Sequence, residues 1–118
     1  MAVSPEYLAG FFDGEGTFYI GSQHKNGKTY PKAQVMLSQS GEEGYKLLQT
    51  IQQQYGGNIY EHLAPGQHKA TKHAYKIYWN KAEAIKLIDR LLPHLKLKQA
   101  AATTVLTYLT RDNGEETV

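Results

Sequence analysis

Apolar positions recur at helical spacing in some stretches of the chain and alternate at strand spacing in others, and the two kinds of stretch come in a regular order. Ser4-Pro5-Glu6 sets a hydroxyl, a proline and an acid where a helix begins. That helix runs through Tyr7 and Asp13 to a stop near Gly14-Glu15-Gly16. Thr17 to Gln23 reads as a strand, and a turn around Gly27 leads to a second from about Pro31 to Gln39, with Val35 and Leu37 on one face and Gln34 and Ser38 on the other. Ser40-Gly41-Glu42-Glu43 has the form of a capping box. The helix it opens carries Leu47, Leu48, Ile51 and Tyr55 and ends at Gly56-Gly57. A third strand covers about Asn58 to Ala64, and a Pro-Gly loop with His68, Lys69 and Lys72 follows. The fourth strand, His73 to Asn80, alternates Tyr75, Ile77 and Trp79 against Lys76 and Tyr78. Asn80-Lys81-Ala82-Glu83 repeats the capping pattern for a helix reaching Pro93, and a last helix from about Lys98 to Thr110 carries Ala101, Val105 and Tyr108/Leu109.

The order predicts an α+β fold: an αββαββα core with a four-stranded antiparallel sheet, helices on one face, and one more helix at the C-terminus. The two ββα units are alike in architecture and not in sequence. A chain of 118 residues supports one core, assigned to residues 1–111, with 112–118 as a solvated tail. No apolar run approaches the roughly 20 residues of a membrane span. The first residues lack the features of a secretory signal, which places the protein in the cytoplasm or in an organelle matrix.

Composition removes several kinds of chemistry. There is no cysteine, so disulfides, thiol catalysis and Cys-based zinc sites are excluded, and none of the five histidines pair at i, i+3 or i, i+4. Nine tyrosines against three phenylalanines and one tryptophan favour the aromatic that tolerates a wet surface. The net charge of +2 hides an asymmetry, because three of the eleven acids (Asp112, Glu115, Glu116) lie in the tail. Residues 17–39 and 58–80 hold Lys25, Lys28, Lys32, Lys69, Lys72 and Lys76 against the single acid Glu61. A bare sheet face with this charge suits a polyanion, although exposed lysines also serve simply to keep strand edges soluble.

Leu8-Ala9-Gly10-Phe11-Phe12-Asp13-Gly14-Glu15-Gly16 resembles the signature of the LAGLIDADG homing endonucleases, on a first helix with a strand directly after it. Gln39 stands where family members often carry a polar residue near the cleaved phosphate. Leu95-Lys96-Leu97-Lys98-Gln99-Ala100 resembles the segment that supplies the family's catalytic lysine. The resemblance runs from about residue 4 to 110. It implies a homodimeric, Mg²⁺-dependent DNA endonuclease, with Mn²⁺ able to substitute, cutting a long, nearly palindromic site to staggered ends and originating in an intron or similar mobile element. It implies Glu15, Gln39 and Lys98 as catalytic residues, and Glu15 as metal ligand with the Gly14 carbonyl as a second donor. Some relatives carry a basic residue shortly after the Gln39 position. Here that stretch is acidic and polar, so this cation is missing or comes from elsewhere, for example Lys46.

Several of these positions have a physical reading of their own. Gly10 and Gly14 are four apart and share a helix face without side chains, with the small Ala9 and Asp13 beside them, so a second backbone could approach there. Gly10 is mid-helix, where glycine costs about 1 kcal/mol, whereas Gly14 also reads as a stop. The resemblance implies that two such helices cross at a two-fold axis, which makes Ala9, Gly10, Asp13 and Gly14 the expected dimer contacts, with Asp13 capping a backbone N–H at the crossing rather than binding metal. Glu15 falls at a helix C-terminus, where carbonyls disfavour a carboxylate and both favour a hard cation. It also reads as an ordinary exposed glutamate, and Lys98 as an ordinary exposed lysine at a helix start.

The strand period divides the sheet into a core face with Phe18, Ile20, Val35, Leu37, Ile59, Tyr75, Ile77 and Trp79 and an outward face that the resemblance assigns to DNA. On the second lie Thr17, Tyr19, Gly21, Gln23, Lys25, Lys32, Gln34, Met36, Ser38, Tyr60, His62, Lys76 and Tyr78. Gln and Lys read adenine and guanine edges in the major groove, while Lys28, Lys69 and Lys72 at the hairpin tips suit phosphates. A cleavage-deficient binding module of the same fold (an intron maturase or a transcription regulator) is the alternative, and a dimer that binds no nucleic acid a third. One copy of the nonapeptide in a chain this short makes the expected second copy another molecule of the same chain.

Overall fold

The computed structural model describes residues 2–63 and 73–115, with side chains through Arg111 apart from that of Leu63. Its elements follow the expected order: α1 (Pro5–Glu15), β1 (Gly16–Lys25), β2 (Lys28–Ser40), α2 (Gly41–Tyr55), β3 (Asn58–Leu63), β4 (Ala74–Tyr78), α3 (Lys81–Leu91), a 3₁₀ turn (Leu92–His94) and α4 (Gln99–Glu115). The four strands form one antiparallel sheet in the order β1-β2-β4-β3, so the two hairpins join along β2 and β4. Phe18, Val35, Leu37 and Ile77 point from one face of the sheet into the core. There they meet Leu8 and Phe12 of α1, Leu48 and Ile51 of α2, Leu87, Ile88 and Leu91 of α3, and Ala102, Val105 and Leu109 of α4. Phe12 stacks on Phe18 at 4.7 Å between ring centroids and tilts against Trp79 at 5.7 Å. The Trp79 indole N–H donates to the Tyr55 carbonyl at 3.0 Å, so the one polar edge of this aromatic group is satisfied.

Local signals and tertiary partners divide the work of ending the helices. The Ser4 hydroxyl accepts from the Tyr7 N–H, as a cap should. Ser40 and Asn80 occupy cap positions but make no side-chain cap bond, which corrects both capping boxes. Glu83, read as the acid of the second box, instead accepts from the Gly57 N–H at 3.3 Å and ties the end of α2 to the start of α3. In α4 the buried stripe is Ala102, Val105 and Leu109, and Ala101 stands at its margin. The helix also continues through Glu115, into the stretch read as a tail.

The second strand starts three residues before Pro31. Proline is tolerated because Pro31 turns its backbone away from β1, toward the side where the Val35 carbonyl accepts from the Trp79 N–H. The Pro31 carbonyl receives the Tyr108 hydroxyl at 3.4 Å. Among the described residues no helix is long and apolar enough to cross a membrane.

Candidate active site

The C-terminal end of α1 gathers the chain's candidate chemistry. Gly16 begins β1 opposite Leu37, which brings Glu15 level with the last residues of β2. Glu15, Ser38, Gln39, Ser40 and Ala74 line one open recess of about 270 Å³. Glycine is required at 16 by packing: a Cβ there would lie 2.2 Å from Cδ1 of Phe12 and 2.8 Å from its Cα. Side chain 98 arrives from the other side of the fold. Its ammonium, half-buried, donates to the Gly16 carbonyl at 2.5 Å, one residue beyond Glu15. Glu15, Gln39 and Lys98 are therefore brought to one end of one helix from positions 15, 39 and 98. The helix end contributes its own partial negative charge, with no basic residue in its last turn.

Asp13 explains how position 98 gets there. Its carboxylate accepts the backbone N–H groups of Lys96 at 2.7 Å, Leu97 at 3.0 Å and Lys98 at 2.9 Å. These amides lie in the segment just ahead of α4, so Asp13 fixes the approach to that helix from another element. Burial pushes the Asp13 carboxyl up, but the N–H groups of Lys96, Lys98 and Leu97 and the Lys98 charge outweigh it and hold it below the usual 3.8. The backbone N–H groups that Asp13 holds belong to residues 96–98 of its own chain and not to the helix crossing where a cap was expected.

The face of α1 expected to meet a partner is open at its glycines: a Cβ at Gly10 or Gly14 would meet nothing within 4 Å. Ala9 does not share that face. It is fully buried in the chain's own core, because 100° per residue turns it away from Gly10 and Gly14. Tyr7, which the sequence reading passed over, does share it, three residues before Gly10 and 56% exposed, with Phe11 alongside at 6.3 Å between rings. The signal for Tyr7 was its i, i+3, i+7 spacing with the glycines.

On the outer sheet face, Tyr19 pairs with Gln34, Gly21 with Lys32 and Gln23 with Tyr30 across β1 and β2, and Lys76 lies between Ser38 and Tyr60. Tyr60 and Tyr78 meet edge to face at 5.7 Å. Thr17, Lys25, Lys28 and His62 occupy the same face or its hairpin tip. Tyr30, 45% exposed, belongs to this face and was missed because the strand was started at Pro31. Lys69 and Lys72 lie outside the described residues. Lys46 forms an exposed i, i+4 pair with Glu42 at 3.7 Å.

Similar architectures exist among solved structures. I-CvuI, a homing endonuclease crystallised with the I-CreI target DNA in the presence of Mg and with that DNA not cleaved, superposes with a TM-score of 0.74 at 22% identity, over 90% of this chain and 65% of that one. The archaeal intron-encoded homing endonuclease I-Vdi141I, complexed with DNA, gives 0.72 at 20% identity, over 97% of this chain and 72% of that one. The LAGLIDADG meganuclease I-CpaMI, bound to uncleaved DNA, gives 0.77 at 23% identity over 96% and 38%. This chain thus spans about two-thirds of I-CvuI and well under half of I-CpaMI. No curated protein matches it by sequence. The family model for LAGLIDADG endonucleases matches residues 8–110, from the first residue of the nonapeptide through the last core helix, and the chain belongs to that family.

Proposed function

We propose that the protein is a homodimeric, divalent-metal-dependent endonuclease that cuts both strands of a long, nearly palindromic DNA site. The observation that carries this reading is the convergence at the end of α1, where Glu15 and Gln39 line one recess and the Lys98 ammonium sits on the adjoining carbonyl. Glu15 and the helix-end carbonyls, that of Gly14 among them, are hard oxygen donors of the kind Mg²⁺ prefers, and Mn²⁺ accepts the same set. Among the described residues no three His, Asp or Glu side chains cluster to hold an ion. Glu15 and the Gly14 carbonyl would hold the ion from one chain, and oxygens of the scissile phosphate and the Glu15 of a second copy would be its further donors. When bound, the ion neutralises charge on that phosphate and acidifies a water.

The chain's own residues do the rest. Glu15 fixes where the cation sits relative to the DNA. The Lys98 ammonium, held by its bond to Gly16, faces the negative charge that develops on the phosphate. The Gln39 amide, able both to donate and to accept, orients the attacking water or a phosphate oxygen. The outer sheet face follows the major groove, with Gln23, Gln34, Lys32 and Lys76 toward base edges and the hairpin-tip lysines toward phosphates. Two copies meet through Gly10 and Gly14, where α1 has no side chains to keep a second helix away, with Tyr7 closing over the contact.

The test uses a duplex carrying the uninterrupted sequence of the gene's insertion site. The wild type with Mg²⁺ is expected to cut both strands. Glu15→Gln is expected to bind the same duplex and cleave it at least about 10²-fold more slowly. Undiminished cleavage by Glu15→Gln contradicts the assignment. A wild type that binds without cutting in Mg²⁺ or Mn²⁺ makes the protein a binding module of the same fold.

A further inference from the structure

The end of β2 and the first turn of α2 approach more closely than two side-chain-bearing residues allow. Gly44 is buried in that first turn. A Cβ there would come 2.8 Å from Cβ of Gln39, 3.4 Å from its carbonyl carbon and 3.5 Å from its Oε1. The closest of these atoms is the root of the Gln39 side chain, which cannot swing aside as a terminal group can. The backbone gives no separate reason for glycine at 44, since its φ is not among the positive ones. Helix propensity argues against it by about 1 kcal/mol relative to alanine. What glycine supplies at 44 is room for Gln39.

Gln39 sits one residue from the end of β2, paired with Tyr75 of β4, and lines the recess with Glu15. Its backbone is held by the pairing with Tyr75, so a methyl at 44 has to shift the first turn of α2 against the end of β2, and the Gln39 amide moves with its Cβ. We propose that Gly44 is a positioning residue for cleavage: the missing side chain sets the path of Gln39 toward Glu15. This rests on the reading of Gln39 as part of the cleavage machinery.

The test is a double-mutant cycle on the full chain with the insertion-site duplex, reading single-turnover cleavage in Mg²⁺ and duplex affinity in Ca²⁺. Misplacing a catalytic group by about 1 Å costs on the order of 10²-fold. Gly44→Ala is therefore expected to slow cleavage by about tenfold or more while affinity stays within about threefold. In the Gln39→Gly background, which removes the opposing Cβ, Gly44→Ala is expected to slow cleavage no further. If Gly44→Ala alone melts early, the same background is expected to restore its melting temperature, since the clash is gone. Wild-type cleavage by Gly44→Ala, an equal loss in both backgrounds, or a melting loss that Gln39→Gly does not repair overturns the inference while leaving the endonuclease reading in place. Wild-type cleavage by Gln39→Ala and Gln39→Gly overturns the role of Gln39, and Gly44's with it. A wild type that never cuts overturns the endonuclease reading as a whole.

Discussion

Asp13 shows how a single residue can join a motif helix to a segment that is far away in the chain. Its carboxylate holds three consecutive backbone N–H groups that would otherwise face solvent just ahead of α4. An Asn there keeps one acceptor and turns an NH₂ group toward the remaining donors. Asp13→Asn is expected to destabilise the protein by about 1 kcal/mol at pH 7, the usual size of a lost cap, measured by urea unfolding. The folded carboxyl titrates below its ordinary 3.8, so its contribution is full above that value and is lost as pH falls through the lower folded value. The difference between wild type and Asp13→Asn is therefore expected to shrink as the pH drops below about 3.8. A difference that stays constant from pH 7 to pH 3 contradicts the contribution of these bonds.

At the scale of elements, α1 divides its surface between two jobs. Leu8, Ala9 and Phe12 face the core, Gly10 and Gly14 face outward with nothing near them, and Asp13 looks toward α4. A Cβ at Gly10 meets nothing in the single chain, so Gly10→Leu fills the open surface that the proposed dimer uses for its second helix. It is expected to leave the circular dichroism of the folded chain unchanged and to shift micromolar protein from dimer to monomer in sedimentation velocity. A Gly10→Leu protein that remains dimeric places the interface elsewhere. The element order, the two hairpins and the core and outer faces of the strands were legible in the sequence, because period and punctuation are local properties. Phe18, Val35, Leu37 and Ile77 fell on the expected side for that reason. Bonds made across elements left no local trace: Glu83 has the spacing of a capping box and bonds Gly57 instead, and Ser40 has the right side chain without the bond. Ala9 looked like its small neighbours, and only helical phase separates it from them. At the candidate site, the family's motifs pointed to Glu15 and Lys98, and the structure sets the Lys98 ammonium on the Gly16 carbonyl, whereas the Asp13 bonds and the fit of Gly44 to Gln39 are contacts between strangers in sequence.

At the scale of the whole molecule, the proposed function calls for a two-fold assembly that presents two sheets to one DNA. Neutralising phosphates releases counterions, and each contact contributes roughly 0.9 to the slope of log affinity against log salt. Lys28 is exposed at the tip of the β1–β2 hairpin. In a homodimer each substitution removes two contacts, so Lys28→Ala is expected to reduce the slope by about 2, where a monomer on DNA would lose about 1. Base-reading positions such as Gln34 are expected to behave differently, altering which sequences bind and leaving the salt slope nearly unchanged. On the proposed function, two Glu15 sites act together on opposite strands. The most direct measurement of this mixes wild type with Glu15→Gln, isolates the differently tagged heterodimer, and gives it Mg²⁺ and a supercoiled plasmid bearing the insertion site. The wild-type dimer is expected to linearise the plasmid, and the heterodimer to leave it nicked at most. Linear product from the heterodimer at the wild-type rate contradicts the account.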